Sequence, residues 1–326
     1  MSETLELFLK KNNIEVLPRK EIEREKRETL EKKEFYEYQL EEIEKLKLTN
    51  DYVFKRTFGY KGSEKILKVF LRDLLNMEIT DVDLDKNPIT EKDYLDEKIG
   101  IMDVRAIING NVDCDIEMQV VNTGNIEDRM TFYLSRQYAG SLREGDEFDT
   151  AKKCIAILIA DFKFEKLKCV DKILTKWNFR EEKYSNIVLT DKLEIYILEL
   201  PKCKMKVESE NINLWINFIK NLEVSKMSEK ADKSLIETVE AIEEAQKKLD
   251  ELNENEEARY IAHLRDKYVR DANSLKNSGY KEGEKAGIEK GVKLEKIEIA
   301  RKLKSKYSIE EIIEITGLTK EEIVKL

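Results

Sequence analysis

Histidine is nearly absent: the chain has one, His263, in 326 residues. That scarcity removes serine–histidine–acid triads, HExxH zinc sites and histidine-rich metal clusters together, because each needs an imidazole in combination with other ligands or partners. The four cysteines (Cys114, Cys154, Cys169 and Cys203) are scattered, with no CxxC pair. Structural zinc is therefore not expected, and reduced, mostly buried thiols are. No GxGxxG or GxxxxGK[ST] follows a strand-like stretch, so a dinucleotide fold and a P-loop have no support. No run approaches the roughly 20 apolar residues that span a bilayer, so no membrane partner is expected. The opening MSETLELFLKKNN lacks a basic n-region, and its apolar run is too short for a signal peptide, so a cytoplasmic protein is expected. Any chemistry has to come from carboxylates, amides, lysines, arginines or tyrosines.

What the chain does have is charge. Charged residues make up 39% and apolar residues 41%, enough for a core beneath a very polar surface. The length suits one large domain with a helical appendage, or two domains. A formal net charge of −9 opposes nonspecific adhesion to nucleic acid while leaving room for a local basic groove.

Four regions follow along the chain. Residues 1–45 are dense in Glu and Lys and read as an exposed helical arm laced with i,i+4 charge pairs. Residues 46–205 carry the mixed pattern of a sheet with helices. Ile66, Leu67, Phe70, Leu71, Leu74 and Leu75 form a helical apolar stripe, with Gly59 and Gly62 before it. ITDVDLDKNPI and KIGIMDVRAIING read as strands broken by Pro88, and NVDCDIEMQVVN pairs back through a turn at Asn109, Gly110 and Asn111. NIEDRMTFYLSRQYAGSLREG reads as a helix capped by Asn125 and ending near Gly140 or Gly145. KKCIAILIADF is a continuous apolar run typical of a central strand, and EIYILELPK is another, closed by Pro201. Residues 206–275 are helical and polar. Residues 276–326 hold Gly279, Gly283, Gly287 and Gly291 at four-residue spacing, then two capping boxes, Ser308 with Glu311 and Thr319 with Glu322. The glycine spacing fits either a close helix–helix approach between subunits, making a homo-oligomer through the C-terminal helices, or a frayed connector. The paired short helices resemble a helix-turn-helix, but Glu321 and Glu322 make a poor surface for a DNA groove.

Acids interrupt the two central strands. Alternation places Asp103, Arg105 and Ile107 on one side of the first, and Asp113, Asp115, Glu117 and Gln119 on one side of the second. A three-residue turn centred on Gly110 sets Asp103 opposite Glu117, whereas a two-residue turn places them diagonally. Either way the two carboxylates can hold one hard cation, and without it one of their pKa values rises. Mg²⁺ suits such a site because it keeps waters for a substrate phosphate, and Gln119 on the same face can orient the attacking water. A half-exposed sheet face or structural ion pairs would produce the same alternation. On the following helix Arg129, Tyr133 and Arg136 stand at i, i+4 and i+7, a stripe suited to a phosphate backbone or to an ordinary solvated face.

Taken together, NDYVFKRTFG, GIMDVRA, DIEMQ, RMTFYLSRQYAGSLREGDEF, IAILIADF and TDKLEIYILELPK resemble the PD-(D/E)XK nuclease family transposases, also called recombination-promoting nucleases. The resemblance covers about 46–205 in order and spacing, and the glycine-spaced helix and tail are similar to that family's C-terminal region. It implies an α/β fold, a restriction-endonuclease-like mixed sheet flanked by helices, here with a helical N-terminal arm and a helical C-terminal region. It also implies metal-dependent DNA cleavage with Mg²⁺, or Mn²⁺ in its place. By position, Asp103 and Glu117 match the two metal-binding acids, and Gln119 stands where the wider superfamily has lysine. Arg129 and Tyr133 match the arginine and tyrosine of the next helix, and Asp51, Phe54 and Lys55 match the N-terminal signature, with Asp51 and Lys55 as accessory residues. Phe148 replaces a frequent tyrosine. The function expected is a Mg²⁺-dependent DNA endonuclease; the alternatives are a nuclease-fold protein that no longer cleaves and serves as a DNA-binding or protein-interaction module, and an assembly protein built on the helical ends.

Overall fold

The computed structural model describes residues 45–84, 104–122, 124–203, 209–222 and 232–326. The charged arm, Pro88 and Asp103 lie outside the described residues, apart from the arm's last residue.

The first two helices, α1 (Asp51–Phe58) and α2 (Glu64–Leu75), are joined by residues 59–63, which begin with Gly59. The Asn50 side chain caps α1 by accepting from Val53 N–H at 3.2 Å. Gly59 is needed for close approach: a Cβ there would sit 2.8 Å from Val104 Cγ2. All six residues of the stripe Ile66–Leu75 are buried on α2.

Strands β1 (Val82–Asp83), β2 (Val104–Ile108) and β3 (Val112–Gln119) are antiparallel neighbours. The β2–β3 turn has three residues, with Asn109 at φ 50° and Gly110 at φ 73°, positions that favour Asn and Gly. Its register sets Val104 opposite Ile116 and Ile108 opposite Val112, as a three-residue turn predicts. Asn109 also ties the turn to the chain before β1, its Oδ1 accepting from Thr80 N–H at 2.8 Å.

Helix α3 (Ile126–Ala139) follows, flanked by Asn125 and Gly140 at its two ends. The strands β4 (Lys153–Ala160), β5 (Leu174–Arg180) and β6 (Val188–Glu199) complete a six-stranded mixed sheet in the order β1-β2-β3-β4-β6-β5. Strands β3, β4 and β6 run parallel, and β5 is antiparallel at the edge. The apolar run of β4 is buried on both faces, as a central strand requires. Strand β5 has no counterpart in the sequence pattern, and β6 begins earlier than EIYILELPK suggests, because this edge hairpin exposes Lys176, Trp177, Phe179, Val188 and Leu189. No buried face imposes a period of two there.

Two apolar layers sandwich the sheet. One contains Phe54, Phe58, Phe70 and Trp215 with Cys114, Ile116 and Met118 of β3. The other packs Ile126, Met130 and Leu134 of α3 over Cys154, Ala156, Leu158 and Ala160 of β4. Helices α4 (Glu210–Ile219) and α5 (Lys233–Glu254) join the first layer through Asp73, which accepts from Trp215 Nε1 at 2.9 Å and Thr238 Oγ1 at 2.7 Å. A polar stretch of sequence thereby becomes part of the sheet domain.

The chain forms two compact units, one ending at Asp266 and one from Lys267 onward. Helix α6 (Glu256–Leu303) begins in the first and ends in the second. In the second unit, α7 (Ile309–Thr316) and α8 (Lys320–Val324) both show the expected capping boxes, and Gly317 takes φ 66° between them. Ala300, Ile312, Leu318 and Ile323 form its core. A Cβ added at Gly279, Gly283, Gly287 or Gly291 would meet nothing within 4 Å, so no close helix approach explains them among the described residues. No helix among the described residues is long and apolar enough to cross a membrane.

Candidate active site

The acids of β3 lie on the face that α3 covers, since the parallel register sets Asp113, Asp115, Glu117 and Gln119 beside Cys154, Ala156, Leu158 and Ala160. Asp115 is 7% exposed and Glu117 6%. A half-exposed sheet face is therefore not the reason for the alternation. Each acid instead has a cation of its own. Lys152 reaches Asp113 and Arg105 reaches Asp115, both at 3.6 Å, while Arg129 of α3 pairs with Glu117.

Burial pushes the Asp115 carboxyl up to about 6; Arg105 works against this and Asp113 adds to it. Burial also raises Glu117, against the opposing pull of the Arg129 guanidinium and the Gln119 hydrogen bond. A further, smaller rise comes from the charge of Asp51. Helix α1, which carries Asp51, packs against β3.

Around Glu117 the geometry is asymmetric. Gln119 Nε2 donates to Glu117 Oε1 at 2.7 Å, and Arg129 donates to the same oxygen. Glu117 Oε2 is buried with no hydrogen-bond partner, as is Arg129 Nε. The backbone of Gln119 is fixed in turn, its carbonyl accepting from Asp161 N–H at 2.8 Å beyond the end of β4. An orphaned, buried carboxylate oxygen flanked by a satisfied one fits one ligand position of a hard divalent cation. Among the described residues no three His, Cys, Asp or Glu side chains converge closely enough to hold a metal, so the other ligands would be water, substrate phosphate and residues beyond those described.

The remaining residues singled out from sequence are spread more widely. Asp51 sits in the first turn of α1; its Oδ1 accepts from Tyr52 N–H at 2.7 Å, and its Oδ2 lies 3.8 Å from Arg265 of α6. Lys55, one turn on, is half-buried and makes no ion pair with these carboxylates among the described residues. Tyr133 is half-buried in the α3 layer, its ring edge-on to Phe132 at 5.6 Å. Arg136 is exposed, about 10 Å along the helix axis from Arg129. The structure thus brings together Glu117, Gln119 and Arg129, places Asp51 on the helix that packs against β3, and leaves Tyr133 and Arg136 farther along α3. Arg265 carried no signal in the sequence, where it is one basic residue in a long polar helix.

A family model described as PD-(D/E)XK nuclease family transposase matches residues 48–279. No curated protein and no solved structure matches the chain. The match runs past the strands and takes in α4, α5 and the first half of α6. The chain belongs to the PD-(D/E)XK nuclease family transposases, and its six-stranded mixed sheet between helical layers is the restriction-endonuclease-like α/β fold.

Proposed function

We propose that this family member hydrolyses phosphodiester bonds in DNA with a divalent ion, Mg²⁺ or Mn²⁺, acting as an endonuclease. The observation that carries this reading is the buried Glu117 carboxylate, one oxygen held by Gln119 and Arg129 and the other without a partner. Asp103 and Glu117 are the residues assigned to the ion. When bound, the ion supplies a more acidic water and neutralises charge on the scissile phosphate.

The chain's own residues do the rest. Arg129 and Gln119 fix the rotamer of Glu117, so that Oε2 is presented in one direction. Gln119 is neutral at every working pH, so it orients water by its amide and neither takes nor gives a proton. Arg129 also serves the substrate, because the part of its side chain that stays exposed can donate to a phosphate oxygen. Tyr133 and Arg136 extend the contact along the backbone from farther down α3.

Plasmid nicking tests this. Purified protein is expected to nick supercoiled DNA with Mg²⁺ and not with EDTA, and Asp103→Ala or Glu117→Ala to abolish nicking while the fold persists. Undiminished nicking by both variants would refute the assignment.

A second reading has an observation of its own. Arg129 already neutralises Glu117, and Gln119 stands in place of a lysine, as in a nuclease fold that binds DNA or protein without cleaving it. Such a protein would show no stabilisation by Mg²⁺.

A further inference from the structure

Arg265 has a demand for hydrogen bonds that the described protein does not meet. Its Nη1 lies 3.8 Å from Asp51 Oδ2, too long for a hydrogen bond, and its buried Nε has no partner. The side chain is 29% exposed, so water reaches part of the guanidinium while Nε stays dry. A planar fork of five donors beside one distant carboxylate is poorly used. Oxygens of a phosphate would accept from the donors on its exposed part.

The placement is rigid. Asn50, 5% exposed, caps α1 with its Oδ1 and donates its Nδ2 to Ala262 O at 3.0 Å and Asp266 Oδ1 at 2.8 Å. Those acceptors flank Arg265 on α6, so the helix is locked to the residue preceding Asp51. Ala258 and Ala262 bury the same stretch of α6 in the layer that contains α1. Arg129 approaches Glu117 from the other layer, with α3. Both arginines thus stand beside a carboxylate, Glu117 on β3 or Asp51 on the helix packed against that strand, and each has a buried Nε–H without an acceptor. Because Gln119 is uncharged, the positive charge paired with Asp51 and Glu117 among the described residues comes from these two guanidiniums.

We propose that Arg265 binds a backbone phosphate of the nucleic acid on the α1–α6 side of the site, so that the substrate is gripped between Arg265 and Arg129. This rests on the nuclease reading and adds α6 as one wall of its substrate site. The competing explanation is a purely structural ion pair with Asp51.

The test is equilibrium binding of a labelled DNA duplex in Ca²⁺, measured over a range of salt for the full chain, Arg265→Gln and Arg129→Gln. Arg265→Gln is expected to bind about tenfold more weakly and to lose about one phosphate's worth of salt dependence, a slope change of about 0.9. Its thermal midpoint should stay close to that of the parent. Wild-type affinity and slope in Arg265→Gln, beside a weakened Arg129→Gln, would overturn the proposal and leave the nuclease reading standing. Absence of DNA binding by the parent would overturn both. If Arg265→Gln does not fold, the arginine Nε–H resonances of the parent decide: the Arg265 signal should shift on adding duplex, and a fixed Arg265 signal beside a moving Arg129 signal refutes the contact.

Discussion

Arg129 donates a hydrogen bond to Glu117 from a helix that begins seven residues after β3 ends, and this contact joins the α3 layer to the acidic face of the sheet. It does two things at once. It neutralises a carboxylate that is only 6% exposed, and it commits one oxygen so that the other is left unpaired. A buried charge held this way is costly to break from one side.

A double-mutant cycle should expose that asymmetry. Arg129→Gln leaves Glu117 charged and without its cation, and is expected to destabilise the fold by about 2 kcal/mol in urea unfolding. Glu117→Gln leaves a partly hydrated guanidinium and should cost less. The double variant is expected to regain about 1–2 kcal/mol of the Arg129→Gln loss while DNA binding stays weak. Strict additivity of the two single changes would mean the pair is not coupled.

Glu194 predicts an acid limb of stability. Burial pushes its carboxyl up, but hydrogen bonds from Lys176 at 2.8 Å and Lys153 at 3.1 Å outweigh that and hold it below the ordinary 4.5. With the folded value depressed, the unfolded chain takes up protons first, so this stabilisation is complete above 4.5 and is lost as pH falls through the folded value. Glu194→Gln should therefore be about 1–2 kcal/mol less stable at pH 7, with the gap to the parent narrowing below pH 4.5. A gap that stays constant across that range would contradict the assignment.

The glycines separate into two kinds. Gly59→Ala has to push Val104 Cγ2 from 2.8 Å and should destabilise by about 1–3 kcal/mol. Gly287→Ala, on an exposed turn of α6 with open space around it, should stabilise by about 0.5–1 kcal/mol. Thermal scans of both variants check the contrast, and a destabilised Gly287→Ala would show that this stripe is covered in solution.

How far the sequence foretells the fold depends on what the local pattern encodes. Asn109, Gly110 and Asn111 make the β2–β3 turn legible, because Asn and Gly accept positive φ at low cost, whereas its length of three residues, and with it the register, is fixed only in the fold. Ser308 with Glu311 and Thr319 with Glu322 are legible for a similar reason, because capping is short-range. That Glu117 and Gln119 share a side can be drawn from alternation, and that Arg129, Tyr133 and Arg136 share a stripe from helix phase; the Arg129–Glu117 pair appears only in the fold. Burial of the acidic face cannot: alternation says which residues share a side, and says nothing of what covers it. The short helix α1 and the edge strand β5 lack the long periodic stripe that marks an element from sequence. Arg265 depends on α6 docking against α1 through Asn50, a contact between residues more than two hundred positions apart, which no window of sequence contains.

The nuclease reading stands or falls on whether the unpaired Glu117 Oε2 ligates a divalent ion. Calorimetric titration of the full chain and of Glu117→Gln with Mn²⁺ puts that question to the atom concerned. Saturable binding by the parent, weakened at least about tenfold in the variant with the fold intact, is the expected outcome. Equal affinity in the two proteins would show that Glu117 holds no ion.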